Sequence, residues 1–197
     1  MDYYTLQGEG EGLYKEKGSK FIGHCFPVSS EEEIKGRLED LRKQYHDARH
    51  HCYAYQIGME DQQYRANDDG EPNHSAGDPI LGQIRSAGLT NTLVVVVRYF
   101  GGTKLGVPGL IHAYKTAAEQ AILSVGKVVI FPKERFTITY SYEMTSDVER
   151  MLADFELIDQ DRQFTDICKL TASIRKKVFP VFEETVRNLP SVNLKKH

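Results

Sequence analysis

The stretch that most limits the possible folds is residues 92–97, which read TLVVVV. It shows no alternation of apolar and polar residues, so a strand built from it has to be covered on both faces. The run ends at Arg98 and passes straight into FGGTKLGVPGL. A helical pattern follows, with Leu110, Ala113, Tyr114, Ala117, Ala121 and Ile122 on one side, and its alanines allow close packing on a sheet. The centre of the chain is therefore expected to be the middle of a sheet with helices against it, an α+β arrangement.

The flanking sequence extends this pattern to β-α-β-β-α-β-α. Residues 1–20 are polar and rich in Gly and Glu, as in a loosely held arm or an edge strand, and a strand follows in FIGHCFPV. Ser30 with Glu33 forms a capping box for a helix carrying Ile34, Leu38, Leu41 and Tyr45. HHCYAYQIG reads as a strand with a hairpin partner over 62–66. A second helix is expected with Asp78 as N-cap and Pro79 at its first position, stopping at Gly88. Near Phe131 and Pro132 the pattern changes, which sets domains at 1–131 and 132–197. The second reads βαββαβ, the ferredoxin-like order, with Ser146 and Glu149 as a capping box.

Composition narrows the function classes. With 27% charged residues, a net charge of −3 and no apolar run near the ~18 residues of a membrane span, neither a membrane role nor wholesale coating of nucleic acid is indicated. Cys25, Cys52 and Cys168 are odd in number and widely spaced, which points to a reducing cytoplasm.

Charge is unevenly placed. Asp68, Asp69, Glu71 and Asp78 are followed by an interval, residues 79–118, with no acid at all, holding Arg85, Arg98, Lys104 and Lys115. Strand, glycine loop and helix N-terminus are the parts of an anion cradle, because amide N–H groups and the helix dipole face one space. The candidate anion- or nucleic-acid-binding set is Arg98, Tyr99, Gly101, Gly102, Lys104, Gly106, Gly109 and Lys115, with the helix opening at Pro108 or Gly109. The loop matches neither a phosphate-binding Walker loop nor a dinucleotide fingerprint, and a tight turn needing glycine for packing explains it equally well.

The acidic turn Asp68, Asp69, Gly70, Glu71 has two readings, a hard-cation or acid–base site with His74, or a solvated turn. His50 and His51 point to opposite faces of a strand, so no metal site and no cofactor is assigned. Ser75 and Cys52 lack a nucleophile-elbow context. The aromatics Tyr53, Tyr55, Tyr64, Tyr99 and Phe100 suit either a core or base stacking.

DDGEPNHSAGDPIL, VVVVRYFGGTKLGVPGLIHAYKTAA, KFIGHCFPV and ARHHCYAY together resemble the YigZ/IMPACT family over about residues 17–125. The resemblance implies a first domain similar to domain IV of elongation factor G and to the second domain of a small-subunit ribosomal protein. It also implies a ferredoxin-like second domain and a cytoplasmic role in translation, with RNA, a ribosome or a protein as partner. Eukaryotic members restrain a starvation-sensing kinase, so a pure protein-interaction module is one alternative. The other is a hydrolase or phosphate-handling enzyme using Asp68, Asp69 and Glu71 across from the glycine loop. Two segments depart from the family pattern, Asn73-His74-Ser75 and Val107-Pro108, and Pro108 removes one N–H from the cradle.

Overall fold

A computed structural model describes residues 2–197. The chain divides into two compact units, one ending at Ile130 and one beginning at Phe131. The first contains β1 (Tyr3–Leu6), β2 (Gly10–Glu16), β3 (Ser19–Pro27), α1 (Glu31–Gln44), β4 (His50–Ile57) and β5 (Gln63–Asn67). It continues with α2 (Gly77–Ser86), β6 (Thr92–Tyr99), α3 (Gly106–Leu123) and β7 (Lys127–Ile130).

The TLVVVV strand is the centre of the unit. β6 lies in the middle of an antiparallel five-stranded sheet ordered β2-β3-β6-β4-β5, and Thr92 to Arg98 are all buried. Alternate side chains serve two separate cores. Val94 and Val96 face α2 and α3 together with Phe21, Cys25 and Cys52, while Leu93 and Val95 face α1 together with Phe26, Tyr53 and Tyr55. Sequence shows no alternation here because both faces are apolar.

The N-terminal residues are more ordered than a loose arm. β2 is an edge strand in a hairpin with β3, joined by Lys17-Gly18, both at positive φ (46° and 80°) as a two-residue type I′ turn requires. β1 pairs antiparallel with β7 in a separate ribbon that the sequence pattern lacks, whereas β2 fits the edge-strand alternative for residues 1–20.

Helix starts also differ from the sequence expectation. Ser30 does cap α1, accepting from the Glu33 amide at 3.2 Å, but the Glu33 carboxylate returns to the Ser29 amide at 2.6 Å rather than to Ser30. α2 begins at Gly77, with Pro79 third, and Asp78 is not its cap. Its cap comes from outside the helix: Asp68 Oδ1 accepts from the amides of Ala76 (3.0 Å) and Gly77 (2.8 Å). α3 opens at Gly106, before Pro108.

α3 lies on β2 and β3 at backbone contact. A Cβ on Gly23 would stand 2.4 Å from the Ala117 carbonyl oxygen, and Ala117 and Ala121 are fully buried. The alanines on the helix and the glycine on the strand together allow this approach.

The second unit runs β8 (Lys133–Tyr140), α4 (Thr145–Leu152), β9 (Ile158–Phe164), β10 (Cys168–Arg175), α5 (Phe179–Arg187) and β11 (Asn193–Lys196). Its sheet is antiparallel in the order β11-β8-β10-β9, around a core of Phe136, Ile138, Leu170, Ile174 and Phe182. The Ser146–Glu149 capping box does not form; Ser146 is inside α4 and Glu149 pairs with Arg162.

Gly23→Ala is expected to lower stability by about 1–3 kcal/mol, because the helix has to move off the sheet. Urea denaturation of the two proteins measures the difference.

Candidate functional site

The acidic turn and the end of β6 meet, but not across an open cleft. Arg98 Nη1 donates to Glu71 Oε1 at 2.5 Å, with the two residues 7% and 8% exposed. The Tyr114 hydroxyl, from α3, donates to the same oxygen at 2.7 Å. The Cys52 thiol on β4, with one proton to donate, has the Asp68 carbonyl at 2.9 Å and the Tyr114 oxygen at 3.3 Å. The Arg98 guanidinium also lies over the rings of Phe21 (5.4 Å) and Phe100 (5.6 Å). Arg98 therefore spends its charge inside the protein and is not a free cation for phosphate.

The other acids of the turn are likewise engaged. Asp68 caps α2 and accepts from the His74 amide at 2.9 Å. Burial raises its pKa, but the amide bonds from Gly77, His74 and Ala76 outweigh that and hold it below the usual range. Asp69 Oδ2 accepts from the His51 amide at 2.7 Å, and Gly70 turns at φ 86° beside His50. His74 faces Asp78, with Nδ1 and Oδ2 2.6 Å apart. The two nucleophile candidates are enclosed. Ser75 is buried and donates to the Pro72 carbonyl, and burial pushes the Cys52 thiol far above its ordinary range. Among the described residues no three His, Cys, Asp or Glu side chains form a metal-holding group.

The glycine loop is partly structural and partly open. Gly101 packs backbone to backbone on the β2–β3 turn: a Cβ there would stand 1.9 Å from the Gly18 carbonyl carbon, and its amide donates to Ser19 Oγ at 3.0 Å. Gly102 and Gly106 take positive φ, while Gly109 packs on Leu105. The N-terminus of α3 is exposed, has no side-chain cap and has no acid in its first turn. Pro108 is the third helical residue, where amides have no intrahelical partner in any case. Lys104 is exposed beside this end, whereas Lys115 is nine residues into the helix, roughly 14 Å along its axis. The candidate residues thus fall into a buried group around Arg98 and an open group around Lys104, with Lys115 further off.

Sequence reasoning passed over four nearby cations. Lys15 and Lys20 are directly paired across the hairpin, Lys17 occupies its turn, and Arg49 precedes β4. All four are exposed, and among the described residues none of them, nor Lys104, makes an ion pair. The adjacent Lys and Gly in EKGSK were the available signal for this hairpin tip. At the same end of the sheet a hollow of about 360 Å³ is lined by Asp47, Arg49, His50, Arg98, Tyr99 and Phe100. The Tyr99 hydroxyl donates to Asp47 Oδ1 at 2.6 Å, and that bond, more than burial, raises the Tyr99 pKa to about 12.

Two inward-facing histidines favour the neutral form. Burial lowers the His24 pKa against the opposing pull of Glu11. Burial also lowers that of His51, with Arg42 and His50 adding to it and Asp69 opposing, and His51 Nε2 has no hydrogen-bond partner.

Comparison with known proteins places the chain in a family. The Impact N-terminal domain model matches residues 17–122. IMPACT family member YvyE of Bacillus subtilis (strain 168) is 32% identical over 187 residues, covering 95% of this chain and 86% of that protein. IMPACT family member YigZ of Escherichia coli (strain K12) is 36% identical over 151 residues, covering 75% and 74%. A crystal structure described as that of a hypothetical protein superposes with a TM-score of 0.72 at 28% identity, over 98% of this chain and 96% of the other. The chain belongs to the IMPACT family.

Arg98→Ala or Glu71→Ala should each cost about 3–5 kcal/mol, since either leaves a buried charge without its partner. The double variant should cost less than their sum, because no orphaned charge remains, and a urea double-mutant cycle measures this. The histidines add a pH term. The unfolded chain takes up protons near its ordinary histidine pKa of about 6.5 while the fold resists them, so stability is complete above that pH and falls as pH drops through it. A His51→Gln variant is expected to lose less stability between neutral and mildly acidic pH, read from thermal melts.

Proposed function

We infer that this protein acts in the cytoplasm as a translation-linked binding protein. Its first unit engages an anionic partner, RNA or a ribosomal surface, at the end of the sheet that carries FGGTKLG. The observation that carries the reading is the division of charge. The acids of the DDGE turn are bound to partners within the fold, while Lys104, Lys15, Lys17, Lys20 and Arg49 stand exposed at that end and make no ion pair among the described residues. Amides of the uncapped α3 N-terminus and of the glycine loop add neutral donors that suit phosphate oxygens.

The architecture agrees with this reading. A first unit like domain IV of elongation factor G and a ferredoxin-like second unit, for which the order β11-β8-β10-β9 and the βαββαβ sequence argue, are both modules that occur on ribosomes and RNA. Membership of the IMPACT family points the same way, since resemblance to that family implies a role in translation. No helix of the described residues is long and apolar enough to cross a membrane. The enzyme alternative is weakened because Asp68, Asp69 and Glu71 accept bonds from the Ala76, Gly77 and His51 amides, Arg98 and Tyr114, so all three are engaged within the fold.

A second reading, docking of a protein, is favoured by the exposed apolar side chains Phe100, Val107 and Ile111 beside the loop. Capture from lysate with and without nuclease separates the two, since protein contacts survive digestion. For the RNA reading, Lys104→Gln should reduce the slope of log affinity against log salt by about 0.7, for the one phosphate no longer neutralised. Absent binding, or binding indifferent to salt, would remove it.

A further inference from the structure

The hairpin β2–β3 and the glycine loop form one tip, and its chemistry is more specific than a general positive charge. Register places Lys15 opposite Lys20 and Lys20 opposite Tyr99, so the three side chains form a row across β2, β3 and β6 on one face of the sheet. Directly opposed lysines repel, and among the described residues no carboxylate pairs with either. Lys17 extends the row into the turn at φ 46°, a position at which Asn or Gly would be less strained. α1 covers the far end of this face, over Phe26, Leu93 and Val95, and leaves the lysine end exposed. The contact of Gly101 with Gly18 then fixes the Lys104 loop against the turn.

Beside the row, the hollow differs in chemistry. It is lined by Asp47 and Arg49 together with Arg98, whose charge is paired with Glu71, so it is less uniformly positive than the lysine row. Asp47, with Oδ1 held by the Tyr99 hydroxyl, can accept at Oδ2 from the amino or imino N–H of a base, Arg49 offers donors to base carbonyls, and Phe100, 57% exposed, offers a ring face at the rim. Strands lie about 4.8 Å apart, so Lys20 is one strand from Tyr99 and Lys15 two, which sets the free cations within roughly 10 Å of the hollow. A duplex keeps its bases stacked inside and has nothing to place there.

We propose that the tip binds a single strand of RNA, its phosphates following Lys15, Lys17, Lys20 and Lys104 while one unstacked base enters the hollow against Phe100. This rests on the RNA reading above and narrows it to a strand type and a path. The experiment is fluorescence anisotropy of the full chain with a labelled single-stranded RNA of about 12 nucleotides, and with the same sequence as a duplex, over a series of salt concentrations.

The expected result is a roughly tenfold preference for the single strand, and a roughly tenfold loss of single-strand affinity in Phe100→Ala with duplex affinity unchanged. Lys15→Gln with Lys20→Gln should lower the salt slope by about 1.4. The melting temperature of that variant should stay equal or rise, since a repulsive pair has been removed. Duplex binding as tight as single-strand binding, with Phe100→Ala neutral, would overturn the proposal and leave RNA binding through the loop intact. So would an unchanged slope in the hairpin variant when Lys104→Gln lowers it. No RNA binding at all would end both readings, and nuclease-resistant capture of a protein would then replace them.

Discussion

The Glu71–Arg98 pair is the interaction on which the first unit depends. It joins the acidic turn to the end of the central strand, and Tyr114 brings α3 to the same carboxylate oxygen. A buried charge without its partner is strongly unfavourable, so these segments have to assemble together. Their assembly brings order to the rest of the site. With Glu71 anchored, Asp68 stands where it can cap α2, and with Tyr114 anchored, α3 is held along the sheet with its N-terminus outward.

The same pair separates scaffold from surface. A basic residue at the end of a strand before a glycine loop resembles a phosphate ligand when only its neighbours in sequence are considered. Its partner lies 27 residues upstream, and only the folded sheet brings the two together. Among the described residues, the cations that make no ion pair include several in the N-terminal hairpin rather than in the glycine loop.

Much of the central architecture was legible in sequence because its signals are local. TLVVVV specifies a strand covered on both faces, and the Ser30 cap and the alanine-lined side of α3 are each carried by neighbouring residues. What was not legible depends on distant contacts. β1 and β7 are four-residue strands that exist by pairing with each other across the length of the unit, and the polar, glycine-interrupted β2 could be read only as an arm or an edge strand. The start of α2 was misplaced because its cap is an aspartate eight and nine residues before the capped amides, outside the window of any local motif. In the candidate site, residue types were legible while their availability was not, since exposure and pairing are properties of the fold.

The contact between Gly101 and Gly18 is made by main chain alone. Its geometry therefore does not register what side chains the tip displays. Lysines in the hairpin or the loop can be exchanged for other residues and the tip keeps its shape, whereas a single methyl group at Gly101 would alter the shape while leaving every charge in the sequence unchanged. Shape and surface charge at this end of the molecule are set by different residues, and each can change without the other.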